Sequence, residues 1–92
     1  MIKGFRCKET LALFEGQKPK RFRSIATVAQ RKLQMLDSAK EIGDLKSPPG
    51  NRLEGPKGDR KGVWSIRIND QWRICFRYDR GDVFDVEIVD YH

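Results

Sequence analysis

The side chains best suited to chemistry crowd into the last third of the chain: Lys57 and Arg60, then Arg67, Gln71, Arg73 and Arg77, and finally Asp90, Tyr91 and His92. They include no Cys-His or Ser-His-Asp set and no carboxylate cluster spaced for a metal, and the chain holds a single histidine. The usual hydrolase machinery is therefore missing. Cations, one phenol and one imidazole still suffice when the substrate brings its own nucleophile. RNA does so in its 2′-hydroxyl: a protein that holds the backbone in line and stabilises the charged phosphorane can cut it without a metal.

A hairpin must present these groups. Gly62-Val-Trp-Ser-Ile-Arg-Ile68 and Trp72-Arg-Ile-Cys-Phe-Arg-Tyr78 both alternate, and Asn69-Asp-Gln71 links them. Period two puts Trp64, Ile66, Ile68, Trp72, Ile74, Phe76 and Tyr78 on one face, and Ser65, Arg67, Arg73, Cys75 and Arg77 on the other. The second face suits a phosphate chain carrying bases. It equally suits a sheet exterior that must be polar for solvent.

Upstream, Ile2 and Phe5 predict a short first strand, and Leu11, Leu13 and Phe14 a short helix stopped by Gly16. Lys18, Lys20, Arg21 and Arg23 surround Pro19 in a charge cluster that reads first as a solvated loop and second as a nucleic-acid or partner contact. Ser24 is placed to cap a helix over residues 24–39, with Ile25, Val28, Ala29, Leu33 and Leu36 as its apolar stripe. Ile42 and Leu45 suggest a further helical turn before Ser47-Pro-Pro-Gly50 ends it, and Asn51-Arg-Leu-Glu54 could be a short strand. After a turn at Asp79-Arg-Gly-Asp82, a strand over residues 83–89 should alternate Phe84, Val86 and Ile88 against Asp85 and Glu87. Helices gathered before a run of strands predict one α+β domain over residues 1–92: two or three N-terminal helices on one face of a small antiparallel sheet, its other face open.

With 19 Lys and Arg against 13 Asp and Glu, the net charge of +6 favours a polyanionic partner. RNA, DNA, an acidic protein and a membrane surface all satisfy that, although no long apolar run is present. The opening Met1-Ile-Lys-Gly-Phe5 lacks the hydrophobic core of a secretory signal, so the sequence predicts a cytoplasmic protein with Cys7 and Cys75 reduced.

Together, Ile2-Lys3, Ala39-Lys-Glu-Ile-Gly-Asp-Leu45, Lys57-Gly-Asp-Arg60, Gly62-Val-Trp-Ser-Ile66, Gln71-Trp-Arg-Ile74 and Asp90-Tyr-His92 resemble the HigB branch of the RelE toxin superfamily over nearly the whole chain. The resemblance implies the small α+β RelE-like fold and a toxin of a type II toxin–antitoxin pair. It implies a ribosome-dependent endoribonuclease that cuts mRNA in the A site of the 70S ribosome by 2′-hydroxyl attack. The products would be a 2′,3′-cyclic phosphate and a 5′-hydroxyl, with no metal or organic cofactor. The implied partner is a HigA-like helix-turn-helix antitoxin, and operator DNA would be met only through the antitoxin complex.

Carried over by motif, Lys57 and Arg73 would hold the scissile phosphate, Tyr91 would stack on or orient a base, and His92 would serve as general acid or base, its pKa lying near neutrality. Arg60, Arg67, Gln71 and Arg77 would contact substrate. Gln71 stands where relatives often have Asn, and Glu54 where some have His, which puts any two-histidine mechanism in doubt. A non-catalytic RNA- or ribosome-binding module of the same fold is the competing reading. A repressor acting alone on DNA is not supported, because no helix-turn-helix spacing is present.

Overall fold

A computed structural model describes residues 1–56 and 62–90. Two α-helices, α1 (Lys8–Phe14) and α2 (Ala26–Ser38), precede three strands, β1 (Val63–Arg67), β2 (Trp72–Asp79) and β3 (Asp82–Asp90). Short 3-10 turns cover Lys20–Ile25, Ile42–Lys46 and Pro49–Asn51. The strands form an antiparallel sheet in the order β1-β2-β3, so the α+β class holds. Among the described residues, no helix is long and apolar enough to cross a membrane.

The first hairpin closes because the Asn69 side-chain oxygen accepts the amides of Gln71 at 2.9 Å and Trp72 at 2.8 Å, an Asx turn that a short polar linker can supply. The second turns tightly through Arg80 and Gly81, both at positive φ, with Asp79 opposite Asp82. The core lies between the helices and the hairpin's apolar face. Leu13, Phe22, Leu33, Leu36, Ile66, Ile74, Phe76, Val83, Val86 and Ile88 are all buried there. Each buried side chain of this size contributes about 1.5–3 kcal/mol relative to exposure.

Six expectations are corrected, the last two together. The first strand shrinks to two isolated bridges, Ile2 to Val83 and Phe5 to Val86, running parallel beside β3. Ser24 does not cap α2: it lies within the preceding 3-10 turn, and Ile25 takes the cap position without a side-chain bond. The basic cluster is not a solvated loop throughout, since Phe22 is fully buried and meets Trp72 edge-on at 5.5 Å.

The fourth correction concerns β3. Between Cys75 and Arg77 the register slips: Cys75 faces Glu87 but Arg77 faces Phe84, so two β3 residues oppose the single Phe76. Asp85 takes φ +52° at this bulge. An extra residue reverses the alternation on one side of it. Val83 and Val86 both point into the core while Phe84, expected beside Val86, is turned to the arginine face and exposed.

Finally, the second sheet face is not open at its centre, where Ser65, Arg73 and Cys75 are all buried. Residues 49–54 fold back along β1, and Glu54 and Ser65 exchange backbone hydrogen bonds of 2.9 and 3.0 Å. The expected short strand at Asn51-Arg-Leu-Glu54 is thus a single bridge. Cys7 and Cys75 are not joined in a disulfide.

Candidate phosphate-binding site

Strand pairing sorts the second face into rows. Arg67 lies opposite Arg73, which lies opposite Val89; Ser65, Cys75 and Glu87 form the next row; Val63, Arg77 and Phe84 the third. Arg67 and Arg73 are therefore direct cross-strand neighbours. Arg77 shares their face but sits four residues further along β2, about 13 Å at ~3.3 Å per residue.

Arg73 is only 7% exposed. Expected to face solvent, it is instead held from several directions. Its Nε donates to Ser65 Oγ at 2.9 Å, and its Nη2 donates to the Arg52 carbonyl at 2.7 Å and the Ser65 carbonyl at 3.4 Å. Glu54 lies 3.8 Å from the same Nη2. A guanidinium fixed by its own donors loses little freedom when an oxyanion arrives, which favours phosphate recognition. A carboxylate beside it also means that an incoming phosphate meets negative charge already in place.

Arg67 pairs with Asp70 across the turn. Gln71 donates through Nε2 to Asp90 at 3.1 Å, tying the hairpin turn to the end of β3. Arg77 pairs with Asp85 at 3.4 Å, so the bulge that exposes Phe84 also supplies this arginine with a carboxylate. Gly62 precedes β1 at φ +74°, a left-handed conformation that favours glycine, and a Cβ there would stand 2.7 Å from Arg77 Nη1 and push the guanidinium aside. Thus Arg67, Gln71 and Arg73 gather at one end of the sheet, and Arg77 stands at the other. Lys57, Arg60, Tyr91 and His92 lie outside the described residues.

One group at this end escaped the sequence reading. Lys32 on α2 is buried, and its ammonium donates to Asn51 Oδ1 at 2.8 Å and to the Arg67 carbonyl at 2.7 Å. Asn51, wholly buried, donates in turn to the carbonyls of Leu45 at 3.1 Å and Ser47 at 3.3 Å. A lysine beside Leu33 reads as solvent-facing, and only its place on the buried side of α2's stripe hinted otherwise. This clamp joins the helix, the 45–52 segment whose Arg52 carbonyl holds Arg73, and the strand end that carries Arg67.

Burial, followed by the nearby charges of Arg31, Arg67 and Arg73, lowers the Lys32 pKa from 10.5. A lysine whose folded pKa is depressed binds fewer protons when folded than unfolded, between the lowered value and 10.5. Its contribution to stability should therefore rise with pH across that window. Denaturant melts of the wild type and Lys32→Met at stepped alkaline pH should show their difference moving in favour of the wild type, and a flat difference would mean that the amine is not perturbed.

Comparison with known proteins agrees with this architecture. Residues 3–92 match the model of a HigB-like toxin family, described as the RelE-like toxin of the type II toxin-antitoxin system HigB. The protein named Endoribonuclease HigB of Proteus vulgaris is 37% identical over 94 aligned positions, which cover all of both chains. Toxin HigB-1 of Vibrio cholerae is 47% identical over 58 residues, 63% of this chain and 61% of that protein. Among solved structures, YafQ from E. coli superposes with a TM-score of 0.64 at 10% identity, covering 98% of this chain and 91% of that one. The YoeB-YefM complex from Staphylococcus aureus gives 0.57 at 15% identity, covering 100% and 98%. Identities this low speak to the fold alone. On the family match and the full-length relative, this chain belongs to the HigB-like toxins, within the RelE-like toxins of type II toxin–antitoxin systems.

Proposed function

We propose that the chain is an endoribonuclease toxin that cuts mRNA in the ribosomal A site by attack of the 2′-hydroxyl on the neighbouring phosphate. The observation that supports this most is the Arg73 guanidinium, fixed by Ser65 and Arg52 directly across from Arg67. Preorganised cations where charge develops are the largest single contribution to such chemistry. In this reading Lys57 and Arg73 hold the scissile phosphate, Tyr91 orients a base and His92 moves a proton. Arg60, Arg67 and Gln71 contact the strand near the cut. Arg77, at the far end of β2, would touch it further away. A helix-turn-helix antitoxin holds the toxin in check in the cytoplasm.

A second reading, a non-catalytic RNA- or ribosome-binding module, draws support from the burial of Arg73 and from Glu54 beside it. Mapping mRNA 5′ ends after induction separates the two. The nuclease should create new 5′-hydroxyl ends inside translated codons, and their absence in growth-arrested cells would favour the binder.

A further inference from the structure

The net charge is not where the arginine face is. Residues 16–36 carry Lys18, Lys20, Arg21, Arg23, Arg31 and Lys32 and no Asp or Glu. Removing those six from the 19 cations leaves 13, against 13 anions in the rest of the chain, so the whole excess of +6 resides on this one stretch. On the sheet, Arg67, Arg73 and Arg77 each have a carboxylate within ion-pair distance, Asp70, Glu54 and Asp85, and in the basic stretch Arg21 has Glu9 at 3.4 Å.

The stretch is also held in place. Phe22 is buried against Trp72, and the Arg21 guanidinium lies 5.1 Å from the Phe22 ring centre and 5.5 Å from that of Trp72. Trp72 pairs with Asp90, the residue Gln71 bonds and the one before Tyr91. The basic segment therefore abuts the end of the sheet where the candidate site residues gather.

Its exposed surface has a telling composition. Lys18, Lys20, Arg21, Arg23, Ser24, Thr27, Arg31 and Gln34 are all exposed, and no apolar side chain in the stretch is. A stable protein–protein contact needs an apolar centre. A phosphate backbone needs only cations and hydrogen-bond donors.

We propose that the exposed face of residues 18–34 is a phosphate rail for the substrate RNA strand where it continues beyond the cut bond. The proposal rests on the endoribonuclease reading and adds to it the source of long-range RNA attraction. Lys18, Lys20 and Arg23 carry the rail's near end, and Arg31 extends it along α2. Arg21 is shared between the rail, its packing on Trp72 and its ion pair with Glu9.

The test uses the full chain without ribosomes, a single-stranded 12-nucleotide RNA with every 2′-hydroxyl methylated so that it cannot be cut, and a trinucleotide of the same chemistry. The variant is Lys18→Gln/Lys20→Gln/Arg23→Gln, which leaves Arg21 and Lys32 intact. Its thermal midpoint should match the wild type. Each phosphate contact on a single strand contributes about 0.7 to the slope of log affinity against log salt, so the slope should flatten by about 2 and 12-mer affinity should fall at least ~10-fold. Trinucleotide binding should not change. An unchanged slope in a protein that still cuts mRNA on ribosomes overturns the rail, as does an effect seen only with ribosomes present or a loss confined to antitoxin binding. A wild type that neither binds nor cuts RNA overturns the endoribonuclease reading itself.

Discussion

Replacing Arg73 by alanine should abolish mRNA cleavage and also loosen the fold, by about 2–3 kcal/mol. The two losses have different causes. Stability falls because truncation leaves the Ser65 hydroxyl and the Arg52 carbonyl without their buried donor, and opens a gap under residues 52–54. Cleavage falls because the developing phosphorane loses a preorganised cation, an effect of about 10²–10³-fold in rate. Arg73→Lys separates them. Lysine keeps the charge and fills much of the space but cannot fork between Ser65 and Arg52 while facing a phosphate. It should melt within about 1 kcal/mol of wild type and still cleave at least ~10²-fold more slowly on ribosomes. Wild-type cleavage by a folded Arg73→Lys protein would remove Arg73 from the reaction and leave it a prop for residues 52–54.

The second large effect should come from a buried residue next to Arg52, whose carbonyl holds Arg73. Asn51→Leu is nearly isosteric and wholly buried, yet it takes an acceptor from the Lys32 ammonium and donors from the carbonyls of Leu45 and Ser47. Leaving a buried charge short of a partner costs about 3–5 kcal/mol. A domain this small has little beyond the lower part of the usual 5–15 kcal/mol to lose, so the variant should be largely unfolded at 37 °C. The double variant Lys32→Met/Asn51→Leu removes the stranded charge along with its partner. It should recover at least ~1 kcal/mol, a coupling of the size that residues in contact show. Additive losses in denaturant melts would mean that the two side chains do not act as one clamp.

The outline of this protein was legible in its sequence because it rests on local rules. The alternation of Gly62 to Tyr78 and the turn residues at Asn69 and Gly81 set both hairpins, and the three- and four-residue spacing of Ile25, Ala29, Leu33 and Leu36 set the main helix. The separated motifs from Ile2-Lys3 to Asp90-Tyr-His92 were enough for the family. What the sequence could not carry was decided by contacts between distant segments. The β3 bulge turns Phe84 away from Val86, although alternation alone puts them together, because the bulge sits in the pairing with β2 and not in β3 itself. Whether Arg73 faces water depends on residues 49–54 returning to cover β1, some twenty positions away in the chain. Lys32 is a surface residue by type, and only the convergence of Asn51 and the Arg67 carbonyl makes a buried ammonium tolerable there. Period and propensity fix which way a side chain leaves its own backbone. What it meets on the other side is a property of the packed chain, and there the tertiary structure alone decided which arginine is exposed and which is held.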